Sequence, residues 1–253
     1  MGKSSKAQER RARIERLERE RKSAERKRML LFSSVIAVIA LGIIGATGWS
    51  LWQDRQAERQ AEQRAEDPIS EIGATEAQAG CDPVEQKPAS GGGQHIPDGQ
   101  PIEYPDTPPA SGPHWDQWER FARTFYTADD RPDVERLVHN LEHGYSILWY
   151  DETIADDSEA MVQIQAIAKK YDGNERDPAN AFIAVPWTSE DRGDLPNGKH
   201  LALTHWWVDP ENNQQGEETA VSRYCERPSG AVVEQFMEDY PQSEAREPGA
   251  GFL

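Results

Sequence analysis

Residues 133–152 read DVERLVHNLEHGYSILWYDE, and the spacing of the apolar side chains changes period in the middle. Val134, Leu137, Val138 and Leu141 fall at i, i+3, i+4 and i+7, the stripe of an amphipathic helix. Pro132 and Asp133 precede the stripe, and Gly144 follows it as a natural C-terminal stop. From Tyr145 to Tyr150 the run YSILWY is rich in apolar and aromatic residues, which predicts a strand.

The same alternation continues downstream. DSEAMVQIQAIAKKYDG (157–173) has Asp157 or Ser158 as cap, an apolar face at Met161, Ile164, Ala168 and Tyr171, and Gly173 to end it. AFIAVPW (181–187) and HLALTHWWV (200–208) read as strands separated by a loop of Gly, Pro and Asp. SGAVVEQFMEDY (229–240) is a last helix, capped by Ser229, with Val232, Val233, Phe236 and Tyr240 turned inward. Upstream, HIPDGQPIEYPDTPPASGPHWDQW (95–118) is dense in proline and turn residues and predicts an ordered loop. Together these predict an α/β domain of two layers, a small mixed sheet with flanking helices, over residues 94–253.

The N-terminal part is of another kind. Residues 1–28 hold twelve Lys or Arg and five Glu, too few apolar side chains for a coiled-coil seam, and form a basic tail. Met29 to Trp52 follows without a charge, long enough to cross a bilayer as one helix and longer than the apolar part of a cleaved signal. The expectation is a single-pass signal anchor. Arg26, Lys27 and Arg28 beside its start put the tail in the cytoplasm, and Trp49 and Trp52 suit the far interface. Everything beyond is then extracytoplasmic, with residues 53–93 as helical stalk and linker. Gly42 and Ala46, one turn apart, have the small-residue spacing that packs membrane helices into dimers.

The chain's net charge is −17, and the tail's +7 leaves −24 on the remainder. Such a surface attracts cations and disfavours a nucleic-acid partner; the bilayer at 29–52 and an envelope protein are the partners the sequence suggests. The two cysteines, Cys81 and Cys225, both fall in the external part, where an isolated pair reads as a disulfide. No free thiol then remains for nucleophilic chemistry. SGGGQ (90–94) lacks the lysine and the strand–helix setting of a phosphate loop.

The histidines carry the remaining chemistry. His139 and His143 are four apart on the predicted helix, about 130–170° from its apolar stripe, with Glu142 between. Imidazoles so spaced can share a metal, and Glu142 can bind or orient it. His95 and His114 in the preceding loop could complete the set, for Zn or Cu(II). The alternative is structural: His114 and His143 would tie the loop to the helix by hydrogen bonds, because such loops need partners for their backbone groups. A third reading takes His-x-x-Glu-His at face value, with Glu142 as general base of a metal-dependent hydrolase. His205, within a strand, reads as structural.

With YPDTPPASGPH (104–114), ERLVHNLEHGYSILWY (135–150) and HLALTHWW (200–207) in this order, the chain resembles the bacterial, membrane-anchored domain-of-unknown-function family 3105 over about Gln94 to Gly249. The resemblance implies that His114, His139, Glu142, His143 and Gly144 belong to the family's motif. It implies no activity. Three functions therefore stand side by side: a metal-binding domain without turnover, a structural or assembly module of an envelope complex, and a hydrolase.

Overall fold

The computed structural model describes residues 3–119, 123–173, 177–210 and 217–248. The chain divides into two compact units, the first ending at Gln56 and the second beginning at Ala57. Where tail, apolar run and stalk were expected as successive parts, a single helix, α1 (Lys3–Arg64), contains all three. Among the described residues one helix is long and apolar enough to cross a membrane.

The second unit is built on one sheet. Its strands are β1 (Glu85–Pro88), β4 (Ser146–Tyr150), β5 (Phe182–Pro186), β6 (Leu201–Val208) and β7 (Glu218–Cys225), in the order β1-β7-β6-β4-β5. Two further strands, β2 (His95–Ile96) and β3 (His114–Trp115), form a separate parallel pair. The helices are α2 (Val134–Glu142), α3 (Glu152–Ala155), α4 (Ser158–Lys170) and α5 (Gly230–Asp239). Only the β4–β5 pairing in the large sheet is parallel, with Ile147 opposite Ile183 and Trp149 opposite Val185, so the sheet is mixed as expected.

The expected two layers become three. Along β4, Leu148 and Tyr150 join a core with Ile164, Ile167, Val232 and Phe236 of α4 and α5. The alternate residues Ile147 and Trp149 join another with Leu137, Val138 and Leu141 of α2. Helices therefore cover both faces. The physical reason lies in β4 and β5 themselves, which are buried at every position, as strands covered on both faces must be.

A second difference concerns residues 57–93, read as the end of a stalk and a linker. Ala61, Ile72 and Ala79 are fully buried in the α4–α5 core, and β1 pairs antiparallel with β7. Cys81 and Cys225 lie with their sulfurs 2.00 Å apart, fastening this segment to the end of β7. Turn-rich composition here makes the backbone irregular, yet a few apolar anchors still bind it to the sheet. Strands β1 and β7 and the short α3 went unread in the sequence. Caps fared better: Asp157 accepts from the Glu159 and Ala160 amides, and Ser229 from the Val232 amide.

His205 on β6 is fully buried, 3.2 Å from the Ser146 hydroxyl, and burial holds its imidazole down to about 4 from 6.5. As pH falls below 6.5 the unfolded chain takes up this proton first, so stability is whole above that value and is lost between 6.5 and 4. Unfolding free energies at pH 7 and 4.5 are expected to differ by about 2–3 kcal/mol more in the wild type than in His205→Gln. Equal losses in urea titrations of the two proteins would sink this assignment.

Candidate metal centre

Three pieces of chain converge on one side of the sheet. The parallel pair β2–β3 sets His95 directly beside His114, and the His114 amide donates to the Gln94 carbonyl at 3.0 Å. Both lie over the last turns of α2, which supply His139 and Glu142. The loop is held there by the motif itself: Asn140 accepts from the Glu119 amide at 2.9 Å and donates to the Glu119 carbonyl at 2.9 Å. Trp115 donates to the Gln100 carbonyl and Tyr104 to the Pro113 carbonyl, each at 2.8 Å, so the proline-rich segment is ordered as expected.

Because this loop covers the helix face opposite the apolar stripe, the histidines of that face are buried. His114, His139, Glu142 and His143 are each at most 3 % exposed. Ligand atoms of His95, His114, His139 and Glu142 all lie within 4.8 Å of one another, the group among the described residues suited to a metal ion. From Glu142 Oε2 the distances are 3.0 Å to His114 Nε2, 3.6 Å to His95 Nε2 and 4.0 Å to His139 Nε2.

The far nitrogen of each ring is already engaged. His114 Nδ1 is 3.0 Å from the Gly112 carbonyl, His139 Nδ1 2.6 Å from the Trp115 carbonyl, and His95 Nδ1 3.0 Å from the Asp116 carboxylate. Carbonyls and carboxylates only accept, so each Nδ1 carries a hydrogen, and in the neutral form of each ring Nε2 offers its lone pair inward. In that form three imidazole nitrogens and a carboxylate oxygen face one another. Glu142 Oε2 stands closest to His114 Nε2, at 3.0 Å, and both atoms are buried. The other carboxylate oxygen, Oε1, is taken by Arg246 Nε at 3.0 Å, and Arg246 in turn pairs with Glu218 and lies over the Trp206 ring.

The electrostatics follow from this crowding. Burial, then the neighbouring His114 and His143, push the His139 imidazole down to about 4, so it is neutral near pH 7. Burial alone would raise the Glu142 carboxyl, but His114, His139 and Arg246 outweigh it and hold the group below its usual value. His139 and Glu142 therefore offer a neutral imidazole and an ionised carboxylate, the protonation states metal ligands require.

His143, the C-cap of α2 with φ −83° and ψ 5°, is not one of these converging ligands, although its ring packs 4.7 Å from that of His139 and 5.1 Å from that of Trp118. Its own carbonyl accepts from Gln242 at 2.9 Å. Gly144 next to it has φ +88°, and a Cβ there would meet the Gln242 carbonyl oxygen at 2.7 Å, so the motif ends in glycine for steric reasons. Asn140, Arg246 and Asp116 were missed in the sequence. The amide of Asn140 and the guanidinium of Arg246 act across sequence separations that no local spacing encodes.

Gly93 lies under the Glu142–Arg246 pair with φ +65°, and a Cβ would come within 2.3 Å of Glu142 Oε1. Gly93→Ala is expected to lower stability by about 1–2 kcal/mol from the backbone alone, and to part Glu142 from Arg246. A denaturant midpoint equal to the wild type's would contradict this close approach.

Among known proteins, residues 95–251 match the family described as Protein of unknown function (DUF3105). No curated protein and no solved structure matches the chain.

Proposed function

The chain belongs to the family described as Protein of unknown function (DUF3105), and we propose from the geometry of the site that its compact unit binds one transition-metal ion, Zn(II) or Cu(II), without turnover. His95, His114, His139 and Glu142 are the ligands. One observation carries this reading: four acceptor atoms converge with every outer imidazole nitrogen already engaged. Such a set is repulsive until a cation sits among it, and second-shell engagement of Nδ1 is how metal-binding histidines are oriented. A tetrahedral ion bound at about 2.0–2.1 Å holds its ligands roughly 3.3 Å apart. The separations of 3.0, 3.6 and 4.0 Å from Glu142 Oε2 bracket that value, so small side-chain movements suffice. The last turn of α2, the negative end of its dipole, adds to the attraction.

The hydrolase reading is weaker on the same geometry. Glu142 has one oxygen held by Arg246 and the other in the ligand position, which leaves none to serve as general base. The structural or assembly reading draws support from the Asn140 and His139 bonds that pin the loop to α2. In that case a proton between His114 and Glu142 takes the place of the ion, though it would leave His95 and His139 facing each other unrelieved.

Met29 to Trp52 anchors the chain in a membrane in this reading, with the basic tail cytoplasmic and the metal-binding unit outside, in the cell envelope. The disulfide pair is consistent with an oxidising compartment. Thermal unfolding of the full chain in detergent, with and without added Zn(II) or Cu(II), separates the readings. Saturable stabilisation, about 2.7 kcal/mol at a hundredfold excess over Kd, is expected from a metal site. No shift with either ion leaves the structural reading.

A further inference from the structure

Resting on the metal reading above, we infer that His95 is a displaceable ligand: the metal enters and leaves on its side, and its place at the metal accepts a nitrogen donor from outside. The four ligands are not equivalent. His114, His139 and Glu142 are each at most 2 % exposed, whereas the His95 side chain is 46 % exposed. Main-chain carbonyls of a buried loop orient His114 and His139. His95 is oriented by the Asp116 carboxylate, itself 65 % exposed. A surface pair of this kind contributes about 0–1 kcal/mol, too little to fix a ring against solvent competition.

The backbone repeats the asymmetry. His139 and Glu142 are on a helix packed against the sheet. His95 belongs to a two-residue strand that follows Gly91, Gly92 and Gly93 after one residue, Gln94, and a Cβ at Gly92 would touch nothing within 4 Å. Over His139 the site is bounded by Trp118, 39 % exposed, the large apolar side chain of the second unit most open to solvent among the described residues. Its ring centroid is 5.1 Å from that of His139. Three ligands thus form a rigid, dry cup, and the fourth closes it from the wet side. Taking His95 away leaves a held ion with one free position facing water, the arrangement that lets an external ligand bind.

The test uses full-length chains loaded with Co(II), whose visible spectrum reports coordination, and imidazole as the external donor. His95→Ala is expected to retain one Co(II) with affinity lowered on the order of 10–100-fold, the size of an outer-partner loss. It should release the ion to a chelator more than tenfold faster than wild type, and its spectrum should shift with millimolar imidazole, while the wild type's shifts only at the higher concentrations needed to displace His95. Asp116→Asn should speed release without opening the imidazole position. The inference is overturned if His95→Ala loses Co(II) as completely as His114→Ala, or if it releases the ion at the wild-type rate and ignores imidazole. Failure of the wild type itself to take up Co(II) overturns the metal reading and this inference with it.

Discussion

Replacing His139 with alanine is expected to weaken Zn(II) or Cu(II) binding by roughly a hundredfold to a thousandfold. Structural zinc sites are held by about 10–16 kcal/mol; one of four ligands accounts for about 2.5–4 kcal/mol of that, near a hundredfold at the lower end and a thousandfold at the upper. His139 earns a full share because its ring is buried, its Nδ1 is fixed by the Trp115 carbonyl, and its imidazole is neutral near pH 7. Glu142→Gln should act comparably, since the amide keeps the shape and removes the ionised oxygen. His143→Ala is the discriminating control. It lies one residue beyond Glu142 but outside the ligand group, so its affinity should stay within about tenfold of wild type, the lower bound for an outer-partner loss. Competition against a chelator of known affinity measures all three. Equal losses in His139→Ala and His143→Ala would mean that the helical pair, and not the converging four, holds the ion.

Loss of the Cys81–Cys225 pairing is the second large effect. The two residues are 144 apart in sequence, and closing so long a loop restricts the unfolded chain by about 5 kcal/mol in the chain-entropy model. Local bonds beside it show what else would loosen: the Asp82 amide donates to the Tyr224 carbonyl, and the Glu226 amide to the Ala79 carbonyl, each at 2.9 Å. Chemical denaturation of Cys81→Ser/Cys225→Ser is therefore expected to show a stability lower by about 4–5 kcal/mol, with β1 the first strand to exchange its amides. A midpoint unchanged by the double substitution would show that β1 and residues 72–81 hold to the sheet by packing alone.

What the sequence made legible follows from how far each signal reaches along the chain. α2, α4 and α5 carry apolar side chains at helical spacing, and β4, β5 and β6 are continuous apolar runs, so each announces itself within ten residues or so. β7 (ETAVSRYC) mixes a glutamate and an arginine among its apolar positions, because it lies next to the edge of the sheet, and β1 (EQKP) is exposed at every position. β1 is a strand only because β7 offers it a ladder, which no local pattern encodes. Three layers were legible in principle from the unbroken apolar character of β4 and β5, had that been weighed above the count of helices.

The site divides along the same line. His114, His139 and Glu142 were singled out as residue types in a motif, and His95 as a candidate to complete them. The helical-wheel argument gave His143 the same face as His139, and the two rings do lie 4.7 Å apart, but the chain leaves the helix at His143 and its nitrogens are not among the converging four. Arg246 and Asn140 act across gaps of 104 and 21 residues, from Glu142 and to Glu119, beyond any spacing rule.

Metal content of the untagged full chain, purified after growth with trace Zn and Cu and compared with His114→Ala/His139→Ala, tests the central claim most directly. The expected result is one equivalent of Zn or Cu per wild-type chain and less than a tenth in the double variant, with both proteins folded by circular dichroism. A wild-type chain that carries no metal and takes up none on addition of either ion would contradict it, as would a double variant that still holds a full equivalent.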